Sequence, residues 1–143
     1  MNHALESGNS PKTVGEVMTT DVVTLKITDT LRLADDLMNL AKVRHFPVLH
    51  EGKVAGLIEQ SDLLHASMLS VVRNRGNSPR HTLGTIAVRD VMKPATTVPA
   101  SMALYETARL MVEKDIDCVL VVEGDGLVGV VTRTDVLREI TRS

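Results

Sequence analysis

Apolar positions along the chain alternate between a helical and a strand rhythm. Thr13-Val14-Gly15-Glu16 reads as a capping box opening a short helix that ends near Met18. The β-branched run Val22-Val23-Thr24-Leu25 predicts a strand. Leu31, Ala34, Met38 and Ala41 then fall at helical spacing, widened by Leu33, Leu37 and Leu40, with Asp29 or Thr30 as the cap. Phe46–Leu49 and Val54–Ile58 predict two strands around a turn at Glu51-Gly52. A second amphipathic helix follows, from about Ser61 to Val72.

The second half repeats this order. Gly15-Glu16-Val17-Met18 matches Arg89-Asp90-Val91-Met92 at an offset of 74 residues. After a one-residue slip near Leu40–Lys42, Gly56-Leu57-Ile58 matches Gly129-Val130-Val131 and Asp62-Leu63-Leu64 matches Asp135-Val136-Leu137 at an offset of 73. The second copy predicts a helix to Met92, a strand near Thr96–Val98, a helix Met102–Glu113, strands Val119–Val122 and Leu127–Val131, and a helix from Arg133 onward. The expected organisation is a flexible N-terminus (residues 1–11), repeat one (12–72), a linker (73–85) rich in Gly, Pro, Ser and Asn, and repeat two (86–143). A three-stranded unit of this size is marginal alone, so the copies are expected to share a core.

Composition narrows the function. Net charge is −2 and the pI about 6.2, which argues against an electrostatic grip on nucleic acid. Aromatics amount to Phe46 and Tyr105, too few to form a platform for stacking bases. Arg73, Arg75, Arg80 and His81 form the only basic cluster, read as a solvated loop. The single cysteine, Cys118, allows no internal disulfide and fits a reducing compartment. No stretch approaches the ~20 apolar residues of a membrane span, and Met1–Lys12 lacks the build of a signal peptide. The expected location is the cytoplasm.

Several candidate sites weaken on inspection. Gly124-Asp125-Gly126-Leu127-Val128-Gly129 satisfies G-x-G-x-x-G, but Val130-Val131 continues a strand where a dinucleotide site needs a helix to open. A hairpin explains it better. His45, His50 and Cys118 lack the convergent spacing of a metal site, and no nucleophile elbow accompanies the Ser, His and Asp residues. The segment that stands out is Gly129–Asp135, where a strand ends and a helix begins. Thr132 can cap that helix with Asp135 closing the box, and a helix N-terminus also attracts phosphate. The hydroxyls of Thr132 and Thr134 can donate to a phosphate, Arg133 can add charge, and the Asp135 carboxylate can accept from ribose hydroxyls. Both readings stand together.

With the repeat, these residues resemble the CBS domain pair, a family named after cystathionine β-synthase. The resemblance rests on Val17-Met18 and Val91-Met92, on Phe46-Pro47-Val48, and on the G-x-x-T/S-x-x-D pattern of Gly129–Asp135, and covers residues 12–143. It implies an α+β fold of two tandem β-α-β-β-α repeats packed sheet to sheet, often dimerising as a flat disc. It also implies an adenosine-containing ligand, such as AMP, ADP, ATP or S-adenosylmethionine, in clefts between the repeats. By position the better cleft would use Val22, Val23, Val43, Arg44, His45 and Pro47 on one wall, and Thr132, Arg133, Thr134 and Asp135 on the other. Arg44 reads equally well as a solvated helix end. The second cleft would use Glu59, Ser61 and Asp62 with Thr96, Thr97 and Cys118. Glu59 stands there where the pattern has a hydroxyl, which puts that cleft in doubt for phosphate.

The expectation is therefore a stand-alone regulatory module without catalysis of its own, which senses an adenine nucleotide and signals to a protein partner. The rival is a ligand-independent dimerisation or docking module. Leu63, Leu64, Leu69 and Val72, with Val136, Leu137 and Ile140, exceed what one small sheet can cover and predict a homodimer through these helices.

Overall fold

The computed structural model describes residues 12–73 and 78–142; the N-terminus expected to be flexible lies outside them. The chain divides into two compact units. The middle unit is Val23–Ala95, and the end unit joins Met1–Val22 to Thr96–Ser143.

In the middle unit, β1 (Leu25–Lys26) runs parallel to β2 (His45–His50), which pairs antiparallel with β3 (Lys53–Glu59). The β2–β3 turn puts Glu51 and Gly52 at φ 51° and 80°, the double positive φ that suits a two-residue hairpin. Helix α1 (Leu31–Ala41) is capped by Thr30, whose hydroxyl accepts the Leu33 N–H at 3.2 Å. Leu31, Ala34 and Met38 are buried, whereas Leu33 and Leu40 are exposed, so the apolar stripe is narrower than its sequence implies. Helix α2 (Gln60–Arg73) leaves the end of β3 directly.

The linker expectation is corrected in part. Ser78 accepts the His81 N–H at 3.1 Å and Pro79 opens a short helix, α3 (Pro79–Leu83). Leu83 is buried in the core with Phe46, Ile58 and Leu63. Arg80 binds Asp36 on α1 at 2.6 and 3.1 Å. The hydrogen bond from its guanidinium, opposed by desolvation and helped by the charges of Arg80 and Arg32, holds the Asp36 carboxyl below the usual range.

The end unit repeats this plan with β4 (Thr97–Pro99), α4 (Leu104–Lys114), β5 (Cys118–Glu123), β6 (Gly126–Thr132) and α5 (Arg133–Thr141). Its core gathers Val98, Leu104, Met111, Val119, Val121, Val131 and Val136. Thr107 is fully buried and satisfies its hydroxyl by donating to the Ala103 carbonyl at 3.1 Å. Gly129 lies inside β6, so the glycine motif is a hairpin.

Two further expectations change. Val22–Thr24 form no strand, because the Val22 N–H turns back to the Thr20 carbonyl at 3.1 Å; only Leu25-Lys26 reaches the ladder. The compact units also differ from the sequence repeats. The leading helix α0 of repeat one (Val14–Val17) docks on the body of repeat two, with Val14 N–H to Met102 O at 2.9 Å and Gly15 N–H to Ala100 O at 3.0 Å. Conversely, the 3-10 turn Val88–Asp90 of repeat two docks on the body of repeat one, with Val88 N–H to Asp29 O at 2.7 Å. Each body needs a short apolar plug, and each receives the one from the other repeat.

Candidate functional site

Both units end a strand and open a helix at a junction that carries a carboxylate. In the end unit this is β6–α5. Thr132 is the N-cap; its hydroxyl accepts the Asp135 N–H at 3.4 Å. Asp135 answers through Oδ2, which accepts the Thr132 N–H at 2.8 Å and the Thr132 hydroxyl at 3.1 Å. Its other oxygen, Oδ1, faces Arg138 Nη1 at 3.6 Å. The Arg133 N–H donates to the Asp117 carbonyl at 2.9 Å, while the side chains of Arg133 and Thr134 are exposed. The capping reading is thus realised, and it fixes the carboxylate in place.

The matching junction of the middle unit is β3–α2. Asp62 Oδ2 accepts the Glu59 N–H at 2.7 Å, as Asp135 does for Thr132. Glu59 then departs from its counterpart. Its Oε2 lies 3.1 Å from His45 Nε2 and its Oε1 lies 2.5 Å from Lys93 Nζ. The same ammonium reaches Asp62 Oδ1 at 3.5 Å. Burial works against the charge on Lys93, but the hydrogen bond and charge of Glu59, followed by those of Asp62, outweigh it and raise its pKa.

The remaining predicted residues are distributed over both units. In the middle unit, Val43 is half-buried, Arg44 is exposed and accepts the Gln60 N–H through its carbonyl at 3.0 Å, and Pro47 is buried in β2. Val23 packs at the edge of that core, and Ser61 is exposed on the first turn of α2. In the end unit, Val22 and Thr96 are half-buried, Thr97 is exposed in β4, and Cys118 is buried opposite Thr132 in the ladder. His45 and Glu59, assigned by position to different clefts, face each other in the ladder, with His45 Nε2 3.1 Å from Glu59 Oε2. Cys118 and Thr132, also assigned apart, are ladder partners. Lys93 was missed. Its only signal in the sequence is a cation at the position where repeat one has Thr19.

Two β-α-β-β-α units, each with a capped strand–helix junction, define a tandem-repeat α+β module. Residues 14–69 and 88–142 each match the CBS domain, and the chain belongs to that family. An uncharacterized protein of Methanocaldococcus jannaschii is 31% identical over 135 residues, covering 89% of this chain and 31% of that one. Another from Methanopyrus kandleri is 31% identical over 128 residues, covering 87% and 61% respectively. The chain therefore spans only part of the length of these relatives. Among solved structures, a Vibrio cholerae protein assigned to acetoin utilization (AcuB) is 30% identical, with a TM-score of 0.76 and coverage of 91% and 90%. CBSX2, solved in complex with AMP, is 27% identical, with a TM-score of 0.77 and coverage of 92% and 97%. No helix among the described residues is long and apolar enough to cross a membrane.

Proposed function

We propose that the chain is a regulatory module that binds an adenosine-containing ligand of the AMP, ADP or ATP type, with S-adenosylmethionine as the alternative, and performs no catalysis itself. The observation that carries this reading is the β6–α5 junction. There a fixed carboxylate (Asp135) adjoins the neutral hydroxyls of Thr132 and Thr134 at a helix N-terminus. Asp135 takes the ribose hydroxyls, and the phosphate is taken by the Thr134 hydroxyl together with that of Thr132 once it turns from Asp135 Oδ2. Membership of the CBS family and the likeness to an AMP-bound relative support the choice of ligand. Binding shifts a conformational or oligomeric equilibrium in the cytoplasm, and a protein partner reads the shift.

Calorimetry of the full chain with AMP, ATP and S-adenosylmethionine tests the proposal. A ligand at 100 times its dissociation constant stabilises the fold by about 2.7 kcal/mol, which a thermal-shift assay detects. Absence of both signals for every nucleotide refutes it.

One observation favours the second reading, a homodimerisation module. Leu64, Met68, Val71 and Val72 on α2 are 61–74% exposed, and Leu137 on α5 is 55% exposed. A second copy of the chain covers these faces in the proposal. A dimer in sedimentation that is indifferent to nucleotide would select this reading over ligand sensing.

A further inference from the structure

Among the positions at which the two junctions differ, two carry charges that compensate each other. Along the backbone they are alike: Thr19 exchanges bonds with Val130 at 2.9 and 3.0 Å, and Lys93 exchanges bonds with Leu57 at 2.9 and 3.0 Å. Where the end unit has Thr132 and Thr19, the middle unit has Glu59 and Lys93, a carboxylate and an ammonium. The Glu59 side chain is only 20% exposed and that of Asp62 19%, so their charges face each other and Lys93 with limited screening.

The two oxygens of the Glu59 carboxylate, Oε1 at 2.5 Å from Lys93 Nζ and Oε2 at 3.1 Å from His45 Nε2, sit where two phosphate oxygens would be recognised by the same two groups. We propose that Glu59 is an internal stand-in for phosphate: it occupies Lys93 and keeps the β3–α2 junction closed to phosphate-bearing ligands. The inference rests on the reading that such junctions hold a nucleotide, and it specifies what decides between them. A phosphate entering here would have to displace a carboxylate from its ammonium and then remain beside both Glu59 and Asp62. Simple repulsion by Glu59 would give the same exclusion, but it assigns Lys93 no role. Lys93 therefore separates the two explanations.

The test is calorimetric titration of the full chain with AMP, using adenosine as the probe that lacks phosphate. Glu59→Thr should bind one more AMP per chain than the unmodified protein, at least tenfold more tightly than adenosine at the added site. Glu59→Gln keeps the side-chain shape and should act in the same direction, which covers a folding defect in the threonine variant. Lys93→Met placed in either background should abolish the AMP preference at that site. Two equivalent AMP sites in the unmodified chain would overturn the inference, as would no gain in both Glu59 variants or an added site that persists without Lys93. A gain from zero to one upholds it while removing the β6–α5 reading. One site without a gain does the reverse.

Discussion

Lys93 and Thr19 occupy one backbone position in two units but present opposite chemistry, an ammonium against Glu59 and Asp62 in one and a neutral hydroxyl side chain in the other. Both belong to leading segments that dock on the body of the other repeat. The exchange of segments therefore brings the charge of repeat two to the carboxylates of repeat one. A duplicated sequence has in this way become an unequal pair.

The charge network predicts a specific alkaline behaviour. Glu59 and Asp62 raise the pKa of Lys93 in the folded state above its ordinary 10.5. A raised pKa stabilises the fold fully below the unfolded value and loses that contribution as pH climbs through the folded value. The stability gap between the unmodified chain and Lys93→Met should hold steady up to pH 10.5 and narrow above it. Urea midpoints measured for both proteins across that range check this. A gap that grows with alkali would reverse the assignment.

The reciprocal cap predicts coupling at the end-unit junction. Thr132→Ala and Asp135→Ala should each cost about 1 kcal/mol. Because the two side chains cap each other, the double variant should lose less than the sum by about 0.5 kcal/mol or more. Denaturation of the four proteins measures this cycle. If Asp135 also holds two ribose hydroxyls, its alanine variant should lose about 2–4 kcal/mol of binding, roughly 30- to 1,000-fold in affinity. Additive stability losses would show that the cap is not a unit.

What the sequence disclosed was local. Glu51-Gly52 marks its hairpin, Thr30 and Thr132 mark their helices, and the spacing of Leu31, Ala34 and Met38 marks a buried face. Partnership across long separations was not legible. A four-residue helix such as Val14–Val17, with a valine at each end, does not say which of two similar bodies it will plug. Glu59 and Lys93 lie 34 residues apart, beyond any helical or strand period, so their pairing leaves no pattern. The Ser78-Pro79 helix start was present in the sequence, but the composition of the surrounding stretch read as a linker.

That last difference has a measurable consequence. Leu83, in the expected linker, is 3% exposed, whereas Leu40, on the expected apolar stripe, is 80% exposed. Leu83→Ala should therefore destabilise the fold by about 2–5 kcal/mol. Leu40→Ala should stay within about 0.5 kcal/mol of the unmodified chain. Chemical denaturation decides, and equal losses would place α3 outside the core.

The Val-Met ends of the leading segments also acquire a physical reason. Met18 lies over Gly129 and Met92 lies over Gly56, each in its own unit. A β-carbon at Gly129 would meet first the Sδ and Cγ of Met18, a flexible side chain that can swing aside. A β-carbon at Gly56 would meet Met92 Sδ at 2.8 Å and also the Lys93 carbonyl oxygen at 2.9 Å. That oxygen accepts the Leu57 N–H at 2.9 Å and cannot withdraw without breaking the bridge. Gly56→Ala should accordingly cost about 1–3 kcal/mol and exceed the cost of Gly129→Ala. Shortening the methionine separates the causes: Met18→Ala should relieve the Sδ and Cγ part of the Gly129→Ala clash, leaving only the Cβ contact at 3.0 Å, while Met92→Ala should leave most of the Gly56→Ala penalty in place. Thermal or urea unfolding of the paired variants reads this directly. Full rescue of Gly56→Ala by Met92→Ala would show that the methionine, and not the exchanged backbone, sets the need for glycine.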